Sequence, residues 1–232
     1  MNRINMKKTL IGLFIAMFSF GTASADAGVN IGVSGQLGLF AATATEFDEG
    51  THGTTTSTDE QRTESDYLGL GYASIFVEKE IGAAFIGVDF VPQSLESETK
   101  DSQRNDCTGT ETCAGSDFTT VTNTVKVEFN DMVTAYAGLK IGNAYVKAGV
   151  VNVDLDTKEN LGTGSTYGNT SMDGIMIGVG GQHTLDNGMF IRGEANLMEF
   201  DPVSLTSSTS VNKITVDELN GVTGKISIGT SF

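Results

Sequence analysis

Val222-Thr223-Gly224-Lys225-Ile226-Ser227-Ile228-Gly229-Thr230-Ser231-Phe232 is the stretch whose reading decides the fold. Taken alternately, Val222, Gly224, Ile226, Ile228, Thr230 and Phe232 make an apolar side, and Thr223, Lys225, Ser227, Gly229 and Ser231 a polar one. Such period-two alternation belongs to a β-strand, because successive side chains leave a pleated backbone on opposite faces. Its length matches the roughly 9–11 residues that a tilted strand needs to cross a bilayer. A soluble domain has little use for such a strand at its end, so the expectation is a strand with one side against lipid.

The start of the chain agrees. Arg3, Lys7 and Lys8 precede an apolar run from Thr9 to Phe20, and Ala23-Ser24-Ala25 offers small residues for cleavage before Asp26. This predicts a signal peptide over residues 1–25, since the run is shorter than the ~20 residues of a helical span. Residues 26–232 then form one domain. No cysteine follows the small residues, so no lipid-anchored N-terminus is expected.

Cleavage removes three of the 14 basic residues and none of the 29 acids, which takes the formal charge from −15 to −18. So acidic a chain repels phosphates, and nucleic acid is excluded as a partner. The chain is rich in Gly (29), poor in Pro (2) and without Trp, and no later segment resembles a continuous apolar helix. In a membrane such a chain must be a closed barrel, because an open sheet leaves backbone groups unpaired in hydrocarbon. Cys107 and Cys113 lie close together in a polar segment, which in an exported protein reads as a small loop-closing disulfide.

Seven further alternating stretches precede the terminal one: Val29–Ala42, Tyr67–Glu78, Ala83–Val91, Val121–Ile141, Ala144–Leu155, Met172–Leu185 and Met189–Phe200. In Tyr67–Glu78 the phase is ambiguous, and a bulge near Ala73-Ser74 would reconcile Leu68, Leu70 and Tyr72 with Ile75 and Val77. The Val150-Val151 pair suggests a second phase change. Between Val125 and Ile141 the apolar residues share one phase, broken only at Asp131, so the run is read as a single long strand. Pro92 ends the third strand, since proline cannot donate to a ladder. Gly142-Asn143 and Asp186-Asn187-Gly188 are hairpin turns.

The connections, Thr43–Asp66, Lys79–Gly82, Pro92–Thr119, Gly142-Asn143, Asp156–Ser171, Asp186–Gly188 and Asp201–Val216, alternate long and short, with 24, 4, 28, 2, 16, 3 and 16 residues in turn. Long extracellular loops, short periplasmic turns and an even strand number describe an antiparallel outer-membrane barrel. The expected fold is therefore all-β, an eight-stranded antiparallel up-and-down transmembrane β-barrel. With its export signal, Gly-rich alternating strands and terminal Phe232, the chain resembles the small outer-membrane β-barrel family of the OmpX/OmpA-barrel type. The resemblance implies residence in the bacterial outer membrane, among lipid and lipopolysaccharide. It also implies that Ile226, Ile228 and Phe232 form the C-terminal signal read by the barrel assembly machinery. Thr230 stands where such strands often carry another aromatic.

A Lys or Arg facing lipid costs roughly 2–4 kcal/mol at the bilayer midplane, so Lys147, Arg192 and Lys225 should point inward. Glu194, on the face of Arg192, and Asp89 join them. Eight strands leave an interior just wide enough for side chains, so these five residues are expected to form an ion-pair network that plugs the lumen.

Little in the sequence carries catalysis. His52 falls in the first long loop and His183 at the opposite end of the sixth strand, too far apart to share a site. Asn152, Asp154 and Asp156 place three oxygen ligands on one strand face, but Thr157 and Thr163 stand where a calcium-binding helix–loop–helix would need Gly and an acid. A loose divalent-cation site at the acidic loops is what remains. Gly162–Thr166 lacks the lysine of a phosphate loop, and Gly178, Gly180 and Gly181 are read as space for interior neighbours. No cofactor and no enzymatic activity are expected. The functional expectation is a structural or surface-interaction role through long acidic, Thr-rich loops. A narrow channel for small solutes is the alternative, and an enzyme acting on lipid or peptide is third.

Overall fold

The computed structural model describes residues 28–48, 51–52, 55–56, 60–97, 99–107, 118–160, 166–208 and 213–232. Eight of its strands form a wall: β1 (Val29–Asp48), β2 (Glu60–Ile81), β3 (Ala84–Val91), β4 (Phe118–Ile141), β5 (Ala144–Asn160), β6 (Thr170–Thr184), β7 (Met189–Phe200) and β8 (Lys213–Ser231). Each pairs antiparallel with the next, and β1 pairs with β8 from Asn30↔Ser231 to Phe47↔Lys213, which closes the ring. Backbone hydrogen bonds between Val29 and Phe232, at 3.0 and 3.2 Å, fasten the two ends. The signal-peptide residues 1–25 and Cys113 lie outside the described residues, and so does the expected disulfide with Cys107.

The short turns follow from glycine. Gly82 and Gly142 have φ of 64° and 65° and each opens a two-residue turn, the geometry that matches strand twist. The first turn is Gly82-Ala83, and Lys79, Glu80 and Ile81, expected as a connection, belong to β2.

Along most strands the outward phase is apolar and exposed. Val33, Leu37 and Leu39 on β1, Ile175, Ile177 and Val179 on β6, and Val222, Ile226 and Ile228 on β8 are 48–75% exposed. From Ile31 to Ala41 this phase covers ten steps of about 3.3 Å, which at a tilt near 40° gives a belt about 25 Å tall, the height of a hydrocarbon core. At its upper margin the same phase turns polar, at Asn152, Asp173, Glu199 and Asn220.

Three expectations are corrected. Thr43–Asp66, expected as a loop, is mostly ladder: β1 and β2 stay paired up to Asp48↔Glu60. Hydroxyl pairs Thr43–Ser65 and Thr45–Thr63, both 3.0 Å, tie it, and residues 61–67 are exposed on both faces, so no apolar alternation betrays the strand. Likewise, within the expected loop Pro92–Thr119, Leu95–Glu96 and Lys100–Cys107 pair with β4. The expected bulges at Ala73-Ser74 and Val150-Val151 are absent, and register is continuous there. Leu68, Leu70 and Tyr72 point inward with Ser74 and Phe76, and Val151 is fully buried inside. The break lies instead on β4, where register shifts between Asn130 and Val133 and Asp131 has φ 50°. Asp tolerates this left-handed conformation better than most residues. As a result Val127 and Phe129 pack inward above the bulge while Leu139 and Ile141 face out below it.

Candidate functional site

The interior has two storeys. Toward the short turns it is charged and aromatic. Glu78, 2% exposed at its side chain, receives both guanidinium nitrogens of Arg192 at 2.6 and 2.5 Å and the Tyr136 hydroxyl at 2.8 Å. Arg192 also donates to Gln182 at 2.8 Å and lies 4.7 Å from the Phe190 ring centroid. One level higher, Lys147 pairs with Glu194, Lys225 pairs with Asp89, and Lys147 sits 4.6 Å from the Tyr136 ring. The structure thus places Asp89, Lys147, Arg192, Glu194 and Lys225 together inside the barrel. Glu78 escaped the sequence reading because its strand was ambiguous in phase. Its signal was Ile75 and Val77, two lipid-facing residues of the opposite parity. Glu80, bridged to Lys140 and Asn30, closes the column near the short turns.

Between the two ion pairs lies a cavity of about 20 Å³, bordered by Gln36, Tyr72, Asp89, Asn196 and Lys225. That is room for about one water, and the Tyr72 hydroxyl and Asn196 Oδ1 lack protein partners. Above it the interior is apolar. Phe40, Met132, Val151, Val153, Leu155, Met172, Met176, Met198, Phe200 and Leu219 form one buried cluster. Tyr167 and Leu205 cap it from the last two long connections, joined by the Tyr167↔Ser207 bridge. Inward glycines make room for interior rings: a Cβ at Gly138 would collide with Phe85, and one at Gly180 with Tyr145. Gly178 behaves alike, crowded by Asn196, whereas Gly181 is exposed and faces out, contrary to expectation.

Charges inside, an exposed apolar belt about 25 Å tall outside, and a ring without free ends across its lower half have one physical solution. The protein is an outer-membrane β-barrel. No family model and no curated protein matches its sequence. Among solved structures it is similar to the attachment invasion locus protein Ail of Yersinia pestis, in complex with the heparin analogue sucrose octasulfate, at 12% identity over 87% of this chain and 99% of that one, with a TM-score of 0.37. It is also similar to the Escherichia coli outer membrane protease OmpT, at 9% identity over 91% and 99% of the chains and a TM-score of 0.41. The outer membrane protein AlkL in lipid bilayers gives 10% identity over 91% and 93% and a TM-score of 0.41. Likeness at this level transfers no residue role, and the barrel rests on its own geometry.

The extracellular side carries the barrel's net charge. Residues 43–66, 92–131, 152–173 and 199–220 hold 23 of the 29 acids and six basic residues. Lys126, between Glu96 at 2.6 Å and Glu128 at 3.6 Å, is held above the usual lysine value by its hydrogen bond to Glu96. Because that pKa is raised, the tie is complete at neutral pH and weakens as pH rises through the lysine's own value. Asn152, Asp154 and Asp156 do not converge as ligands: Asn152 donates to Asp173 at 2.6 Å, and Asp156 accepts from Asn130 at 3.2 Å. Among the described residues no group of three or more His, Cys, Asp or Glu could hold a metal ion. His183 is exposed at the periplasmic end. Ile226, Ile228 and Phe232 face outward, 68%, 49% and 74% exposed.

Proposed function

We propose that this outer-membrane barrel acts through its extracellular side, as a non-catalytic structural and surface-interaction protein. The observation that carries the reading is the ladder that continues above the lipid belt, from Thr43↔Ser65 to Asp48↔Glu60, on a side of the barrel whose four segments together hold 17 more acids than bases. A stiff acidic palisade favours positively charged partners and repels sulfated or phosphorylated ones. Lipopolysaccharide phosphates would meet the acidic rim through divalent cations, and Ile226, Ile228 and Phe232 would contact the assembly machinery during biogenesis. The packed, ion-paired interior supports a plugged lumen.

The test compares the full chain, refolded in lipid vesicles, with a variant in which residues 45–64 are replaced by an Asn-Gly turn. The full chain is expected to capture a polylysine-coated surface at low salt, to release it at high salt, and to ignore a heparin-coated one. Equal capture by the shortened variant would reject the reading. In planar bilayers no steady conductance is expected, and a stable open pore would favour the solute channel instead. A hydrolytic activity abolished by His52→Ala would favour the enzyme.

A further inference from the structure

β2 is a 22-residue strand beside an eight-residue one. It pairs with β1 along almost its whole length, but with β3 only from Ile75↔Phe90 to Ile81↔Ala84. Above that point the chain after β3 leaves β2. Pro92 lacks the N–H that would continue the ladder, and the next strand pieces, Leu95–Glu96 and Lys100–Cys107, follow β4 instead. The edge of β2 from Tyr67 to Ser74 therefore has no strand partner among the described residues. Its level in the membrane is set by β1: Gly71 is opposite Leu37 and Gly69 opposite Leu39, belt residues 75% and 53% exposed. The break in the ladder thus lies in the outer half of the hydrocarbon layer.

Hydrocarbon does not tolerate an uncovered sheet edge, because no water is there to take its backbone groups. Among the described residues, this edge's own outward positions between Tyr67 and Ile75 are small. Gly69, Gly71 and Ala73 face outward, and a Cβ on Gly69 would touch nothing. Behind the edge stand Leu68, Leu70 and Tyr72, and across the gap Val91, Leu95 and Met132, all part of the apolar upper storey. That storey contains Met132, Met172, Met176 and Met198, side chains that repack at little cost. The break in pairing therefore has hydrogen-bonding backbone at its frame, closed over by Tyr72, Val91, Leu95 and Met132, which are 2–6% exposed and belong to an apolar interior that an entering chain can repack.

We propose that the gap between β2 and β3 is a lateral binding site for the acyl chain of an outer-leaflet amphiphile. The chain enters between Leu70 and Val91, and the ester, amide or hydroxyl group near its head bonds the free edge of β2. The molecules that bathe this level of the wall are lipids, which is why an acyl chain is the occupant.

The full chain, refolded in vesicles of a phospholipid whose acyl chain carries a photoactivatable diazirine, tests this by mapping crosslinks. Labels on the inward-facing Leu68, Leu70, Tyr72 and Val91, and none on Val151 or Met172 behind the closed wall of β5 and β6, are the expected result. Leu70→Trp, which fills the entrance, should lower those labels several-fold while leaving heat-modifiable gel migration intact. Competition by unlabelled lipopolysaccharide identifies its acyl chains as the preferred source, and its absence identifies phospholipid. Labels confined to outward residues, alike on all strands, would overturn the proposal. So would a dimer whose amides at residues 69–73 are all protected from hydrogen exchange, since a strand of a second copy would then close the gap.

Discussion

Toward the short turns the barrel is filled by Arg192–Glu78, Lys147–Glu194 and Lys225–Asp89, layered with Phe76, Phe85, Tyr145 and Phe190. Toward the long connections it is filled by methionine, valine, leucine and phenylalanine under a Tyr167 and Leu205 cap. The lower half is specific, because each buried charge demands one partner at one place. The upper half needs only volume, and four methionines can supply it in several arrangements. The wall follows the same division. All strands are paired around the lower half, and the break in pairing between β2 and β3 lies beside the adaptable half.

The largest effect should come from breaking the lower half. Arg192→Met leaves Glu78 charged and unpaired, and should cost about 3–5 kcal/mol of stability in urea titrations from lipid vesicles. Adding Glu78→Leu should recover most of that loss, and a double-mutant cycle showing no recovery would mean that the pair is not what orders this half. A smaller effect is expected above. Met176→Ala should cost about 2–4 kcal/mol by the same measurement, and Met176→Leu less than about 1.5 kcal/mol. If the leucine variant proved as damaging as the alanine one, the upper half would be as specific as the lower. Smallest is the boundary between them. Asp131→Val should cost about 1–2 kcal/mol because a β-branched residue resists φ 50°, while Asp131→Gly, which adopts that φ freely, should cost less.

The lower half was legible in the sequence because hydrocarbon imposes a sign. Lys147, Arg192 and Lys225 cannot face it, so their parity orients their strands, and with them Glu194 and Asp89. The upper half was not, because there both faces of a strand can be apolar. Leu68 and Leu70 face the interior while Ile75 and Val77, on the same strand, face lipid, and hydrophobicity alone cannot separate the two. Glu78 was lost with that strand, although it holds Arg192. The ladder above the membrane was missed for the opposite reason: with water on both sides, Thr43 and Thr45 show no alternation, and only their pairing with Ser65 and Thr63 reveals the strand.

By itself, then, the sequence determined that Val222–Phe232 and seven like stretches close into a barrel in lipid, and that Lys147, Arg192 and Lys225 face its interior. Both follow from local rules, the two-residue period of a strand and the cost of a charge in hydrocarbon. Only the tertiary structure decided the bulge at Asp131, the pairing of Arg192 with Glu78, and the partnerless edge of β2. Each is a relation of register between strands far apart in the chain, and register is settled by how the whole ring packs, not by any one segment.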